Sequence, residues 1–419
     1  MNKSASRKGS SIGIVANILE WVDYALYGAF SAVMAPLFFP SSDALASQLA
    51  IFGVFALGFI SRPIGGIIFG HIGDRMGRRT ALFLSIALMA IPTACIGVLP
   101  TYAQIGVWAP ALLTGIRVLQ GLAIGGEYTG TMVCLVENAP PEKRGQQGSW
   151  ADIGCLSGTL LGGQLFAAVL STILSVEAYT TWGWRLPFLL SIFLLYIGFQ
   201  LKRYLEEPPK KKKSEQAPIV EVLKKHNKPA LWTIFITFFS GISFYNLLVF
   251  LPNYMVLSGK ASASCSFLVT AATNACMIPM TLLAGWITDR FRQRKRVLQI
   301  GVLGVFCVVY PMTEALYAGH LFVYGSLHLI AGIFLSLYYG GRTAFFAETF
   351  PAHIRYTAVS LALGLGQAIA GGTAPFVATY LTEHIGDVRI ITAQFAFGSV
   401  LALYALSKMR DRTGLPFQE

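Results

Sequence analysis

The stretch GHIGDRMGRR, Gly70 to Arg79, decides the fold, because the chain carries a second, altered copy of it, GWITDRFRQR, Gly285 to Arg294. Another pair of motifs follows in the same order, ENAPPEKR from Glu137 and ETFPAHIR from Glu348, and both read E-x-x-P-x-x-x-R. The two pairs have nearly the same spacing, 215 and 211 positions. Two patterns repeated in the same order predict a duplicated unit. The identical positions of the first pair are Gly70 and Gly285, Asp74 and Asp289, Arg75 and Arg290, and Arg79 and Arg294.

The sequence around these motifs is that of a membrane protein. Of 419 residues, 54% are hydrophobic and only 12% are charged, whereas a soluble domain is about one quarter charged. The apolar residues form blocks of about 20 or more, enough to cross a hydrocarbon core of roughly 30 Å as a helix. The blocks lack period-2 alternation, which excludes a β-barrel and predicts α-helices. The predicted spans, numbered one to twelve, are 12–39, 46–70, 79–100, 106–136, 147–174, 183–204, 229–258, 264–287, 296–316, 319–347, 356–383 and 388–407.

One polar stretch divides the spans into two sets of six. Residues 205–228, LEEPPKKKKSEQAPIVEVLKKHNK, are the only long polar segment. We therefore predict an N-terminal six-helix half at 1–204, a linker loop at 205–228 and a C-terminal six-helix half at 229–419. Parallel repeats of this kind place a substrate site near the membrane midplane, between the halves.

The basic residues predict the orientation. Of 32 lysines and arginines, 26 lie in the tails and in alternate loops, while the opposite loops hold just Arg185, Lys260 and Arg389. By the positive-inside rule, both termini and the linker are cytoplasmic. The net charge of +12 therefore reflects topology, and no nucleic-acid partner is expected. The six cysteines lie in or near spans without a C-x-x-C motif, so neither a disulfide nor a metal site is predicted.

The loop G-x-x-x-D-R-x-G-R-R, with its degraded copy, resembles the signature of the major facilitator superfamily. Further stretches resemble its metabolite:proton symporter branch, which transports proline and betaine, α-ketoglutarate, citrate or shikimate. They are NILEWVDYALYG, SRPIGGIIFGHIGDRMGRR, RVLQGLAIGGEYTG, ENAPPEKRG and AETFPAHIRYTAVSLALGLGQAIAGGTAPF, between residues 17 and 376. The resemblance implies an all-α membrane protein of twelve transmembrane helices in two six-helix pseudo-repeats, the major facilitator fold. It also implies alternating access and import driven by a proton gradient, without a cofactor.

Carboxylates inside the spans are candidates for proton coupling, because a charge at a helix centre costs roughly 2.5–3.5 kcal/mol and usually faces a partner or a cavity. In span one, Glu20 belongs to a polar and aromatic stripe at helical spacing with Asn17, Tyr24, Tyr27 and Gly28, and Asp23 adjoins this stripe. The predicted proton-coupling residues are Glu20, Asp23 and Glu127. Two interpretations of Glu20 and Asp23 stay open, a titrating pair or a salt bridge with an arginine such as Arg62.

Arginines and aromatic residues inside the spans are candidates for substrate binding. Arg117 suits a substrate carboxylate through bidentate hydrogen bonds, and its counterpart at the 211 offset, His328, is again polar. Tyr24, Tyr128, Tyr245 and Trp286 form either a cation–π cage for a quaternary amine or ordinary packing. Asp152 is expected only to orient span five. The predicted substrate-binding residues are Arg117, Tyr24, Tyr128, Arg62, Tyr245 and Arg342.

The repeated loop motifs predict a latch that closes a cytoplasmic gate. Glycines permit a tight turn, Asp74 is suited to cap a neighbouring helix N-terminus, and the arginines are suited to bind carboxylates. Arg292 and Gln293 replace a glycine and an arginine in the second copy, which makes that latch the weaker prediction. The predicted gate residues are Gly70, Asp74, Arg75, Gly77, Arg78, Arg79, Glu137, Arg144, Asp289, Arg290, Glu348 and Arg355.

The predicted function is that of a proton-coupled symporter in a bacterial inner membrane. The chain has no G-x-x-x-x-G-K-[ST], H-E-x-x-H or G-x-S-x-G motif, so neither an ATP-driven pump nor an enzyme is expected, and no catalytic residue is named. The expected partners are a small polar, carboxylate-bearing substrate, protons and the lipid bilayer, with no obligate protein partner. A proline- or betaine-like zwitterion is favoured over di- and tricarboxylates. A drug/proton antiporter and a transporter-like receptor are the alternatives.

Overall fold

A computed structural model of the chain describes residues 17–18, 21–22, 24–66, 68–69, 78–124, 127–193, 196 and 218–417. Within these ranges every regular element is a helix. Nine of the helices described there are long and apolar enough to cross a membrane. They coincide with predicted spans two, four, five and seven to twelve: Leu45–Gly66, Trp108–Glu137, Pro141–Ile173, Asn227–Leu257, Ala263–Phe291, Arg294–Tyr317, Leu321–Thr349, Arg355–Ile385 and Val388–Lys408.

The other three predicted spans are helical wherever they are described. Span one contains the helix Ser31–Phe38, span three contains Arg78–Val98 and span six contains Arg185–Leu190. All twelve predicted spans thus contain helix in the described part of the chain. The twelve-helix prediction is confirmed, and the boundaries of the nine long helices differ from the apolar blocks by a few residues.

Local sequence explains where several spans begin and end. The Asp43 side chain accepts a hydrogen bond from the N–H of Leu45 at 2.9 Å and caps span two, and Ser262 caps span eight through Cys265. Span eight ends at Arg292, whose φ of 51° lies in the left-handed region. Arg292 occupies the position that a glycine, Gly77, holds in the first copy of the loop motif, which explains why a glycine suits that position.

The interface between the two halves follows the repeat. Span five packs against spans eight and ten, and span eleven packs against spans two and four. In the repeat, span five corresponds to span eleven, span eight to span two, and span ten to span four. The second set of contacts is therefore the repeat counterpart of the first. The halves therefore meet through equivalent surfaces related by an approximate two-fold axis, as expected for parallel repeats.

A stripe of glycines in span five holds span one close. A Cβ added at Gly158 would lie 2.7 Å from the Cβ of Trp21, and one added at Gly154 would lie 2.8 Å from Nδ2 of Asn17. Small residues allow this approach of two helix backbones, which is the usual contact between membrane helices. The contact fixes span one, which carries Tyr24 and Tyr27 into the centre of the bundle.

Three spans contain a π-helical turn, at Leu160–Leu165 in span five, Asn246–Phe250 in span seven and Gln367–Gly371 in span eleven. The turn in span seven directly follows Tyr245. The turn in span eleven ends at Gly371, where an added Cβ would lie 2.9 Å from the Tyr245 ring. Such turns are frequent at functional sites, and here two of them border one tyrosine.

Candidate substrate site and gate

Arg117 lies at the centre of the first half, enclosed by aromatic rings. Its side chain is fully buried, and its guanidinium carbon is 4.4 Å from the ring centre of Tyr24 and 4.2 Å from that of Tyr27. Nη1 donates a hydrogen bond to Gln120 at 2.8 Å. Nε and Nη2 have no hydrogen-bond partner among the residues that the structure describes. Because buried guanidinium groups need acceptors, these N–H groups are suited to an anionic ligand.

Tyr24 brings a second arginine to the same place. The guanidinium carbon of Arg62 lies 4.4 Å from the Tyr24 ring centre and 3.9 Å from that of Phe59. The Tyr24 hydroxyl is buried and has no hydrogen-bond partner in the described part of the chain. Two arginines against one tyrosine concentrate positive charge in apolar surroundings, where its interaction with a carboxylate is strongest.

Aromatic side chains continue from this point across the interface. We define the aromatic wall as Tyr24, Phe55, Phe59, Phe244 and Tyr245. Phe55 and Phe59 of the first half lie 5.6 and 5.1 Å from the ring of Tyr245 in the second half. The wall offers ring faces to a cation beside the arginines that suit an anion. Trp286, by contrast, is 47% exposed and takes no part in the wall.

The two halves share a buried ion pair between Asp152 of span five and Arg342 of span ten. Tyr128 donates a hydrogen bond to Oδ1 of Asp152 at 3.0 Å, and Thr343 donates one to Oδ2 at 2.8 Å. Arg342 also donates to the Tyr128 hydroxyl at 2.5 Å. We call these four residues the central cluster. Arg342 is thus bound to a carboxylate of the protein, whereas Arg117 has no carboxylate partner among the residues that the structure describes.

Asp152 was not among the predicted site residues. Its sequence signal, a carboxylate within an apolar span, was present, but it was interpreted as an orienting group. The repeat offers no hint of its partner, because Arg342 lies in a span that is not equivalent to span five. The sequence thus predicts Arg342 and Tyr128 as site residues without the carboxylate that joins them.

The E-x-x-P-x-x-x-R motifs pair reciprocally at one end of the bundle, which the basic loops predict to be cytoplasmic. Nη1 of Arg144 lies 3.4 Å from Glu348, and Nη1 of Arg355 lies 2.6 Å from Glu137. The glutamate of each motif thus binds the arginine of the other motif, across the interface. Both ion pairs must separate before the halves can part at this end.

The second loop motif adds a cap and another arginine to this cluster. The carboxylate of Asp289 accepts hydrogen bonds from the N–H groups of Gly145 and Gln146, both at 2.8 Å, at the start of span five. Arg294 is fully buried, lies 2.7 Å from Asp289 and also pairs with Glu348. A carboxylate of one half thus caps a helix of the other. The gate cluster is Glu137, Arg144, Asp289, Arg294, Glu348 and Arg355.

The two gate residues predicted in the second loop motif, Asp289 and Arg290, have different surroundings in the structure. Asp289 lies in the gate cluster, whereas Arg290 is exposed and forms no ion pair with any residue that the structure describes. Arg294, which was not in the predicted gate set, makes the contacts instead. Its sequence signal was its exact match to Arg79 in the first copy of the motif.

Several predicted residues lie outside the described part of the chain. These are Glu20 and Asp23 in span one and Gly70, Asp74, Arg75 and Gly77 in the first loop motif. For Arg78, Arg79 and Glu127 the structure describes a helical backbone and no side chain. Their proposed roles remain predictions.

Two family models together match most of the chain. Residues 10–209 match the model described as sugar (and other) transporter, and residues 233–417 match the major facilitator superfamily. Among solved structures, the xylose transporter XylE from E. coli, in a partially occluded inward-open conformation, superimposes with a TM-score of 0.80. The match covers 98% of this chain and 99% of XylE at 18% identity, so it shows the fold alone.

Curated relatives match nearly the whole length of the chain. The proline/betaine transporter of Salmonella typhimurium is 31% identical over 98% of this chain and 85% of its own length. The glycine betaine/proline/ectoine/pipecolic acid transporter OusA of Dickeya dadantii is 34% identical over the same shares. The chain therefore belongs to the metabolite:proton symporter branch of the major facilitator superfamily and is a multi-pass secondary transporter of the membrane, not an enzyme.

Proposed function

We propose that this transporter imports a small carboxylate-bearing zwitterion of the proline or glycine betaine class into a bacterium by proton symport with alternating access. The proposed location is the inner membrane, with both termini in the cytoplasm, and the proton gradient is the source of energy. The observation that carries the proposal is the buried guanidinium of Arg117 between two tyrosine rings.

The carboxylate of the substrate would bind to Arg117. Nε and Nη2 of this arginine lack acceptors among the described residues, and leaving a buried polar group unpaired costs about 1–3 kcal/mol. A carboxylate accepts both hydrogen bonds at once and neutralises the charge. Relatives are named for proline, betaine and pipecolic acid, and each of these molecules carries one carboxylate beside a cationic nitrogen.

The cationic nitrogen of the substrate would lie against the aromatic wall. Ring faces attract cations by roughly 0.5–2 kcal/mol, most strongly where water is excluded. The wall contains Tyr24 and Tyr245, one from each half, and both are buried. One bound zwitterion would thus contact both halves. Such a contact suits a substrate whose binding changes the position of one half relative to the other. A tricarboxylate would bring more negative charge than the arginines beside Tyr24 balance.

The gate cluster supports alternating access. It joins the halves at one end through ion pairs that are made by equivalent residues, so opening at that end requires a discrete rearrangement. The coupling carboxylates predicted from sequence are Glu20, Asp23 and Glu127. In the sequence they belong to the same predicted spans as Tyr24 and Tyr128, which is the reason to propose them for coupling.

Uptake into proteoliposomes tests the proposal. Purified protein would be supplied with labelled proline, glycine betaine, α-ketoglutarate, citrate and shikimate under an imposed inward proton gradient. We expect accumulation of the zwitterions, its loss when the gradient is collapsed, and at least tenfold lower uptake by Arg117→Gln, which removes a charge-assisted bidentate contact. Arg389→Gln, at the start of span twelve and away from the site, is the matched control and should transport normally.

Other outcomes would favour the alternatives. If the inward gradient empties preloaded vesicles of a hydrophobic cation, the chain is a drug/proton antiporter. If ligands bind without uptake or counterflow, it is a receptor. If Arg117→Gln accumulates the zwitterions as well as the unmodified protein, the assignment of the carboxylate site is wrong.

A further inference from the structure

We infer that Asp152 carries the coupling proton and that its protonation releases the two halves from each other at the centre of the bundle. The inference rests on the proposed proton symport and names a residue for it. Asp152 is 1% exposed, and both of its oxygens are bound by side chains. Two of the three donors, Arg342 and Thr343, come from the second half. The ionised carboxylate of Asp152 therefore holds the two halves together.

Parting the halves at this level separates Asp152 from Arg342. Removing one partner of a buried ion pair is strongly unfavourable, because an uncompensated charge stays in a medium of low polarity. A proton bound to Asp152 removes that charge. The guanidinium of Arg342 remains charged throughout, and it has a hydrogen-bond acceptor in its own half, Ser240. Proton binding and separation of the halves are thereby linked.

The surroundings of Asp152 contain no second carboxylate among the described residues. Span four contributes Tyr128, span ten contributes Arg342, Thr343 and Tyr339, and span five contributes Cys155. Span seven contributes Ser240, which accepts a hydrogen bond from Arg342 at 3.3 Å. In the described part of the chain, the other carboxylates that join the halves, Glu137, Asp289 and Glu348, all belong to the gate cluster.

The proton moves without any covalent chemistry elsewhere. It passes from water on the side where the proton is more concentrated to an oxygen of Asp152, as the contact with Arg342 breaks. After the halves rearrange, it leaves to water on the other side and the ion pair forms again. Tyr128, which belongs to the same half as Asp152, remains a neutral hydrogen-bond partner in both states, whereas Thr343 separates from Asp152 together with Arg342.

Asp152→Asn separates proton coupling from substrate binding, because the amide has the shape of the protonated acid and cannot release a proton. We expect gradient-driven accumulation to fall at least tenfold, to the level of the external concentration, while exchange of labelled for unlabelled substrate across the membrane persists. Asp152→Glu restores part of the accumulation. Thr343→Val keeps both charged groups and should shift the pH at which uptake is half-maximal.

Each result bears on the inference. Accumulation by Asp152→Asn equal to that of the unmodified protein would overturn it, and so would loss of exchange together with accumulation, since that indicates a structural role. An unmodified protein that binds the zwitterions but shows no gradient-driven uptake would instead overturn the proposed function. The two failures are distinguished because uptake by the unmodified protein is measured before any substitution is made.

A different observation carries a second inference: we propose that the segment Met409–Phe417, after the last span, fastens the gate cluster. The Phe417 ring centre lies 3.5 Å from the guanidinium carbon of Arg144 and 3.9 Å from that of Arg355. These are the arginines of the two reciprocal ion pairs, one from each half. A ring between them adds cation–π contacts to both at the point where the halves would separate.

The rest of the segment is anchored to both sides of the gate cluster. The carbonyl of Leu415 accepts a hydrogen bond from Arg144 at 2.8 Å, in the first half. In the second half, Asp411 accepts one from the N–H of Lys295 at 2.9 Å and Thr413 accepts one from the N–H of Arg294 at 3.3 Å. Phe417 also packs against a small apolar cluster contributed by both halves: Val136, Ala344 and Ala347.

Phe417→Ala tests this fastening, with Leu415→Ala as its matched control, because Leu415 contributes its backbone carbonyl and its side chain is half exposed. The readout is labelling of Ala347→Cys by a membrane-impermeant maleimide, in a background without the six native cysteines. We expect Phe417→Ala to speed labelling about tenfold, as a loss of roughly 1.4 kcal/mol would, and Leu415→Ala to leave it unchanged. Equal labelling rates in the Phe417→Ala variant and its parent would overturn the proposal.

Discussion

Glu348 of the second half lies between two arginines, 3.4 Å from Arg144 of the first half and in direct contact with Arg294 of its own half. Its counterpart in the repeat, Glu137, pairs with a single arginine, Arg355, within the described part of the chain. The side chain of Glu348 is 4% exposed, whereas that of Glu137 is 34% exposed. The two reciprocal ion pairs are therefore equivalent in sequence, and their glutamates differ in burial and in the number of described arginine partners.

This inequality predicts different effects for the same substitution. Glu348→Gln removes the carboxylate that Arg144 binds and leaves Arg294 with Asp289 alone. Removing one partner of a buried ion pair is unfavourable by roughly 3–5 kcal/mol. Glu137→Gln removes a pair that is partly solvated, where ion pairs contribute about 1 kcal/mol or less. We expect Glu348→Gln to lower the midpoint of thermal unfolding in detergent well below that of Glu137→Gln. Equal midpoints for the two variants would contradict the asymmetry.

Asp289 provides a second prediction, because it caps span five from the opposite half. Asp289→Ala removes the acceptor for the N–H groups of Gly145 and Gln146, and loss of an N-cap costs about 0.5–2 kcal/mol. Asp289→Asn keeps one oxygen and should lose less. Both variants should also raise the labelling rate of Ala347→Cys, because the cap joins the halves. A variant with a lower midpoint of thermal unfolding but an unchanged labelling rate of Ala347→Cys would show that the cap stabilises one half alone.

The glycines of span five provide a third prediction. Gly158→Leu places a side chain against the backbone of Ile18 and the Cβ of Trp21, so span one cannot approach. We expect little folded protein in a size-exclusion profile. Gly53→Ala is the matched control, since a Cβ there meets nothing within 4 Å and alanine is the better helix former by roughly 1 kcal/mol. Normal yields of Gly158→Leu would show that span one is held by other contacts.

The spans could be predicted from sequence because a long apolar block in lipid has one stable backbone, the helix. The gate partners could not. The 211-residue offset shows that Glu137 and Glu348 are equivalent, but only the packing of span five on span ten shows which arginine each one faces. Asp152 illustrates the same limit, since its charge is visible in the sequence, whereas its pairing with Arg342 depends on how two non-equivalent spans meet.

The hydroxyl of Tyr245 allows the proposed substrates to be distinguished. It is buried and has no hydrogen-bond partner among the described residues, beside the rings of Phe55 and Phe59. The ammonium group of proline has N–H donors for this oxygen, whereas the quaternary nitrogen of glycine betaine has none. Removing a hydrogen bond to a charged group costs about 1.5–3 kcal/mol, or roughly 10- to 100-fold in affinity.

We therefore expect Tyr245→Phe to raise KM for proline at least tenfold and to leave KM for glycine betaine within about twofold, because the ring face that attracts the cation is retained. Tyr245→Ala removes the ring and should raise both values. Tyr404→Phe, on a half-exposed residue of span twelve, is the control for loss of a hydroxyl. If Tyr245→Phe impairs both substrates equally, the hydroxyl orients the site and does not contact the ammonium group. If it impairs neither, the substrate nitrogen binds elsewhere along the aromatic wall.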